Sequence, residues 1–182
     1  MKRIKLILLV FIGILLTIGV ADFYWVYVAN RFEVISEGKV YKSGVMPEKK
    51  LKKIIEKYHI KTIVDLRKPK DIKNIEQERA LAGTLGVIHV NIPSEQVPED
   101  ETVQKFLKIM DDKKNYPVLI HCEHGEGRAV LFSAIYRIEY ENWDNDKARC
   151  ASRIITYGTG FSLNASKGKY LSQYTPRTKV IQ

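Results

Sequence analysis

Cysteine is scarce, with two residues, Cys122 and Cys150, among 182. They cannot build a disulfide framework; at most they make one bond. Acidic residues are also few, 21 against 30 lysines and arginines, which leaves a net charge of +9. Residues 1–29 hold three cations and one acid, so +7 of that charge belongs to the remainder. Such an excess favours anionic ligands or surfaces, although a lysine-rich solvated face has the same count. No nucleic-acid-binding motif accompanies the charge, so no nucleic-acid partner is expected. Internal repeats and low-complexity tracts are absent as well. What remains, with 45% hydrophobic residues, is enough for the core of one domain.

One long uncharged run is present. The basic start Met1-Lys-Arg-Ile-Lys5 leads into Leu6–Ala21, sixteen residues without a charge, the pattern of an export signal or signal anchor. The run is short of the roughly 20 residues of a spanning helix. Asp22 interrupts it, but Phe23–Val28 continues with residues that prefer the membrane interface. Gly19-Val20-Ala21 would suit cleavage. We read residues 1–29 as a signal anchor in preference to a cleaved peptide, held in the membrane through residues 6–28, and residues 30–182 as the functional domain. Lys2, Arg3 and Lys5 then stay cytoplasmic and the domain is extracytoplasmic. It would be periplasmic in a Gram-negative cell, and secreted if the signal is cleaved.

Beyond the anchor, FEVISEGKVYKSG alternates around Glu37-Gly38 and predicts a hairpin. Leu51, Ile54, Ile55 and Tyr58 predict a helix whose other face carries Lys49, Lys50, Lys52, Lys53 and Lys57. That basic face is simply solvated, or rests on anionic lipid near the anchor. IKTIVDL and VIHVNI read as buried strands, with a helix over 71–85 between them that stops at Gly86. Val103, Phe106, Leu107 and Met110 mark a helix that Asp100 would cap. A further helix runs from Asp144 to about Tyr157, closed by Gly158, with Cys150 expected to be buried on it; a last one covers Lys169–Tyr174. Strands alternating with helices predict an α/β domain with a largely parallel central sheet, helices on both faces, and the site at the carboxyl ends of strands.

The stretch PVLIHCEHGEGRAVLFSAIYRI, residues 117–138, sits at such an end. It could be a catalytic phosphate loop, part of a metal site, or a tight turn. As a phosphate loop, Cys122 lies at its base and the N–H groups from Glu123 to Arg128 converge on an anion at a helix N-terminus. Those dipoles favour a thiolate, which is a nucleophile able to take a phosphoryl group. Gly125 and Gly127 allow a tight turn with positive φ, and the Arg128 fork grips two oxygens. His121 would orient the loop and tune the thiol in preference to carrying a proton. As a metal site, His121, Cys122 and His124 are three ligands close together, but zinc sites want a second pair, and Cys150, His59 and His89 are each isolated in the sequence.

His-Cys-x-x-Gly-x-x-Arg between a buried strand and a helix resembles the active-site loop of the cysteine-based protein tyrosine phosphatase superfamily. HCEHGEGR matches each fixed position. VYKSGVMP is similar to the family's Tyr-Arg-Ser-Gly opening, and IKTIVDLR to its first core strand. With LFSAIYRIEYENWDNDKA, the likeness to bacterial dual-specificity-type enzymes covers roughly residues 38–175. The resemblance implies a tyrosine/dual-specificity phosphatase-like fold. It also implies hydrolysis of phosphate monoesters through a phosphocysteine, with no metal or cofactor. The partner would be a phosphorylated protein or a small phosphorylated compound. Cys122 would be the nucleophile, and Glu123, His124, Gly125, Glu126, Gly127 and Arg128 the phosphate cradle.

Two departures stand out. The family usually has Ser or Thr after the arginine, where the hydroxyl helps expel the cysteine; here Ala129 stands, which predicts a slower second step. The family's general acid is an Asp on a loop before the cysteine, and here that window is NIPSEQVPED. Glu95 is the best-placed carboxylate, ahead of Asp100 and of Glu126 within the loop itself. Asp65 and Arg67 would hold the end of the core strand. Inositol phosphates, phospholipids, and phosphate binding with weak turnover remain the alternatives.

Overall fold

The computed structural model describes residues 2–155 and 160–177. Helix α1 (Lys2–Phe23) passes through Asp22 without a break and runs into a π-helical turn at Tyr24–Val28. The stretch Arg3–Val26 is apolar, unburied and 24 residues long, which is about 36 Å at ~1.5 Å per residue. A bilayer core needs about 30 Å, so the helix has the length and composition to cross one. A signal sequence would share both properties.

Strands β1 (Glu33–Ser36) and β2 (Val40–Ser43) form the antiparallel hairpin, turning through Gly38 at φ 68°. Helix α2 (Glu48–Tyr58) leads to β3 (Thr62–Asp65), α3 (Ile72–Thr84) to β4 (Ile88–Asn91), and α4 (Asp100–Asp111) to β5 (Val118–His121). Helices α5 (Arg128–Tyr140), α6 (Asn145–Ile155) and α7 (Ser166–Gln173) follow. Among the described residues the five strands make one sheet in the order β1-β2-β5-β3-β4, parallel except at the hairpin. β5 comes last in the chain but takes the centre. Ser43 and Asp65 both lie in register with His121, so the carboxyl end of β5 is flanked on both sides.

The two faces of the sheet follow from strand alternation. Ile63 and Leu119 turn toward α2 and α3, where they pack with Leu51, Ile55 and Ala82. Val64, Val118, Ile120 and Cys122 turn the other way, onto α4 and α5. There Phe106 and Phe132 meet edge to face, 5.0 Å apart. Helix α5 is buried at nine positions, so the element that follows the loop is the most firmly held helix in the domain. The expected end of α6 at Tyr157 and Gly158 lies outside the described residues. Cys150 is exposed, contrary to expectation. α6 packs through Ala148 and Ser152, one turn apart, and the residue midway between them points outward. Asp100 does not cap α4: it is the first helical residue, the cap position falls on Glu99, and no side-chain capping bond forms there.

At the carboxyl ends of β3, β4 and β5, on the α3 face, lies a buried ion network. Arg67, 1% exposed, donates from its backbone N–H and Nε to Asp65 Oδ1 at 2.9 and 3.0 Å, and from Nη2 to Asp65 Oδ2 at 2.8 Å and Glu78 Oε2 at 2.9 Å. His121 Nε2 lies 2.7 Å from Glu78 Oε1, and His89 Nε2 3.3 Å from the same oxygen. Asp65 and Arg67 do hold the strand end, as expected. They do so together with Glu78 from α3 and with His89, which is isolated in the sequence but not in space. Burial alone would raise the Glu78 carboxyl, but His121, His89 and Arg67 outweigh it and hold the group well below the carboxylate range. Burial alone would lower His121, but Glu78 and then Asp65 outweigh it and push the imidazole up.

The signs set a pH window. The share of stability from Glu78 is complete above its ordinary value of 4.5 and is lost as pH falls through its depressed one. The share from His121 is complete below its ordinary 6.5 and is lost as pH rises through its raised one. Urea unfolding of the full chain in detergent is therefore expected to show a stability plateau between these two values and a decline on either side. Glu78→Gln should lower the plateau by about 3–5 kcal/mol, the usual cost of breaking a buried ion pair, and should flatten both limbs.

Candidate active site

Strand alternation sends His121 and Cys122 to opposite faces. Cys122, 2% exposed, joins the core on the α5 side, while His121 enters the ion network under α3. His124 is exposed on the loop. The three residues that looked like one metal-ligand group in the sequence are thus divided among three environments. Where four potential ligands do converge, at Asp65, Glu78, His89 and His121, the Arg67 guanidinium already bonds both carboxylates.

Residues 123–127 form the loop and α5 begins at Arg128, so the positive end of that helix closes it. Gly125 has φ 72° and is buried. A Cβ there would lie 2.7 Å from the carbonyl carbon of Ser43 and closer still to the Gly44 amide nitrogen. A Cβ on Gly44 would in turn lie 3.0 Å from the His124 carbonyl carbon. The KSG segment is therefore the bed on which the loop rests; backbone contact and a positive φ require glycine at 125, and a Cβ at 44 would be a tight fit. Gly127 departs from expectation. Its φ is −114°, and an added Cβ would meet only flexible side-chain ends that can move aside, Gln96 Oε1 at 2.7 Å first.

Three successive loop carbonyls are each taken by a donor from outside the loop. Glu123 O accepts from the Val45 N–H at 3.1 Å, His124 O from Arg31 Nη1 at 2.9 Å, and Gly125 O from Lys42 Nζ at 3.3 Å. With the carbonyls engaged on the scaffold side, the loop holds an arrangement in which its N–H groups are available to an anion. Lys42 was not legible as a site residue. It pairs in register with Ile120 and so shares the face of Cys122. Its ammonium, fully buried, also lies 3.2 Å from Glu33 Oε2 and donates to Arg31 O at 3.0 Å. Burial pulls Lys42 below the usual lysine range, against the opposing pull of Glu33 and Cys122. The available signal was a lysine in a strand whose neighbours are all apolar or small.

Arg128 Nη1 donates to Leu66 O at 2.6 Å, which ties the guanidinium to the chain leaving β3. Ala129 is 0% exposed and packed in the core. Its carbonyl accepts from Ser133 Oγ at 2.8 Å. The candidate acids part company. Glu95, its side chain 61% exposed, pairs with Lys68 at a cavity of about 240 Å³ that Pro93, Ser94 and Glu99 also line. Asp100 lines a different cavity, against α7, with Tyr170 and Tyr174. Glu126 Oε2 is held 2.9 Å from Arg31 Nη2. The side chain that reaches the loop from the 93–99 segment is Gln96, which accepts from Lys167 Nζ at 3.2 Å beside Gly127. Sequence reasoning passed over it because an amide offers no proton for acid catalysis.

This geometry agrees with what the chain is similar to. The family described as DSP-PTPase phosphatase fused to NAD+ kinase matches residues 18–166. The dual specificity protein phosphatase TpbA of Pseudomonas aeruginosa (strain UCBPP-PA14) is 30% identical over 111 residues, which are 60% of this chain and 47% of TpbA. The chain thus spans about half the length of the curated relatives it matches. Among solved structures, the catalytic core of the PP-IP phosphatase Siw14 from S. cerevisiae superposes with a TM-score of 0.65 at 19% identity, covering 82% of this chain and 89% of Siw14. The crystal structure of P. aeruginosa TpbA does so with 0.62 at 24% identity, covering 81% and 86%. At those identities the structures speak to the fold, which is shared. The span of the family match decides the rest: the chain belongs to the DSP-PTPase family of cysteine-based phosphatases.

Proposed function

We propose that the protein is a phosphatase that hydrolyses phosphate monoesters, phosphotyrosine first and phosphoserine or phosphothreonine with it, through a phosphocysteine intermediate. The observation that carries this reading is the buried Cys122 beneath a loop whose carbonyls at 123, 124 and 125 are all bonded to the scaffold. A solved structure of TpbA in complex with phosphotyrosine supports the substrate class. Cys122 Sγ attacks phosphorus and the bond to the leaving oxygen breaks. Arg128 and the amides of 123–128 hold the equatorial oxygens as charge develops. A carboxylate, Glu95 first, gives its proton to the leaving oxygen. Water then attacks phosphorus, its proton returns to that carboxylate, and the S–P bond breaks to release phosphate and the thiolate. No step calls on a metal or cofactor.

The helix over Arg3–Val26 supports a membrane anchor. With Lys2, Arg3 and Lys5 retained on the cytoplasmic side, the domain faces the outside, in the periplasm of a Gram-negative cell. A second reading, phosphate binding with weak turnover, is favoured by two observations: the buried methyl of Ala129 and the pairing of Glu95 with Lys68.

The full chain in detergent is expected to hydrolyse an aryl phosphate and to be inhibited by vanadate. Cys122→Ser should abolish turnover, and Arg128→Lys should cost about 10²–10³-fold. Undiminished hydrolysis by Cys122→Ser would exclude the mechanism, and tight vanadate binding without turnover would favour the second reading. Glu95→Gln should cost about 10²–10⁴-fold on alkyl phosphates, whose leaving group needs a proton, and much less on activated aryl esters. Equal loss on both would remove Glu95 from the acid role. In rapid-quench experiments, Ala129→Ser should shrink the pool of phosphoenzyme and raise steady-state turnover.

A further inference from the structure

The chain does not leave the anchor helix and pass directly into the sheet. Trp25, within the apolar span, lies with its ring centroid 5.8 Å from Lys42 Nζ, the same atom that donates to Gly125 O. Four residues past the span, Asn30 O accepts from the Gly44 N–H at 2.8 Å, and Asn30 Nδ2 donates to Val45 O at 3.1 Å. Arg31 then reaches the catalytic loop directly, with Nη1 on His124 O and Nη2 on Glu126, both at 2.9 Å. Its own carbonyl accepts from Lys42.

The backbone here is strained. Asn30 and Arg31 are consecutive left-handed residues, at φ 52° and 49°. Asparagine tolerates that region; arginine seldom enters it. Strain of this kind persists where surrounding contacts over-determine it, and it gathers at functional sites. Asn30 Oδ1 also accepts from Lys50 Nζ at 2.7 Å and the Arg31 N–H donates to Trp25 O at 3.0 Å; the other contacts described lead to the catalytic loop, to its bed at Gly44–Val45, or to Lys42. Without the left-handed turn, the Arg31 side chain and carbonyl would not face the loop together.

We propose that the segment Trp25–Arg31 is a clamp on the phosphate-binding loop, with Arg31 its positioning residue, so that the end of the anchor and the site form one mechanical unit. The proposal rests on the phosphatase reading for what the loop does, but the clamp itself is read from contacts. Arg31 fixes the His124 peptide with its carbonyl turned outward and tethers Glu126, while Lys42 fixes the next peptide. The functional unit therefore begins before residue 30, within the stretch set apart as the anchor by sequence. Val26 and Arg31 are five residues apart, no more than about 17 Å along an extended chain. A bilayer that holds α1 accordingly holds the catalytic loop near its surface.

The test uses the full chain in nanodiscs. Arg31→Gly deletes the side chain, keeps the carbonyl that Lys42 bonds, and relieves the strain at φ 49°. We expect its thermal midpoint to equal or exceed that of the unaltered chain. Its KM for an aryl phosphate and its Ki for vanadate should rise at least tenfold, with Arg31→Lys intermediate. Values of KM and Ki within twofold of the parent overturn the proposal, as does a fall in thermal midpoint without selective loss of anion affinity. Should Arg31→Gly not fold, Glu126→Gln removes only the exposed end of the clamp; a vanadate Ki raised threefold or more supports it, and an unchanged Ki overturns it. If the parent chain binds vanadate or inorganic phosphate without hydrolysing the ester, phosphate affinity measured by calorimetry gives the same comparison, and the phosphatase reading alone fails. A parent chain that binds neither anion overturns both.

Discussion

At Gly44 and Gly125 two stretches of backbone touch with no side chain between them, and the site depends on that contact. A loop that binds an anion through its amides must present several N–H groups inward at once. Its carbonyls then face outward, where they must find donors or water. Here they find the scaffold: the Val45 N–H, the Arg31 guanidinium and the Lys42 ammonium, in order along the loop. A Cβ on Gly125 would force this backbone contact apart, and one on Gly44 would crowd it. The central position of β5 makes this possible, because β2 must lie directly beside it for residues 42–45 to reach residues 123–125.

The same strand serves two charge systems, one on each face. His121 belongs to a buried network with Glu78, Asp65, Arg67 and His89, in which each carboxylate has cationic partners. Cys122, one residue on, shares the other face with the buried Lys42. This separation revises the role expected of His121. It supports the loop by locking the end of β5 to α3, through Glu78, and its imidazole faces away from the thiol. Arg128 completes the frame from the β3 side through Leu66. The loop is thus gripped by the chain following β3, by the end of β2, and by the segment leaving α1.

The loop and its setting were legible because short-range chemistry writes them: a cysteine, two glycines and an arginine at fixed spacing between an apolar run and a helical stripe. Strands and helices followed from apolar periodicity, and their order gave the layered sheet. Long-range partners were not legible. Glu78 and His89 sit 13 and 24 residues beyond Asp65, and nothing local marks them as its neighbours. Arg31 lies 93 residues from His124. Lys42 was quoted only as part of VYKSGVMP, because composition does not say which lysine the strand register buries. Gly127 was credited with a positive φ that Gly125 has and it does not, since spacing does not show which glycine takes the left-handed turn. Cys150 was placed inside because cysteine is usually buried, but its position on α6 decided otherwise.

Binding and release draw on different parts of this structure. Anion holding is over-determined, with three engaged carbonyls, a helix N-terminus, and an arginine tied to a carbonyl. Release, in the proposed mechanism, would draw on a hydroxyl and an acid. At residue 129 the side chain is a methyl group packed among core residues, so a polar group is missing where the environment is least able to replace it with water. The nearest hydroxyl along α5, Ser133, is committed to the Ala129 carbonyl one turn away. Glu95 stands on an exposed loop and is engaged with Lys68, so the acid role proposed for it would require it to leave that partner for a leaving oxygen. A surface ion pair of this kind is worth about 0–1 kcal/mol, small enough for a bound substrate to displace. In the proposed mechanism the acid step would then be a matter of loop rearrangement, and the release step would feel Ala129, which no rearrangement of α5 can supply with a hydroxyl.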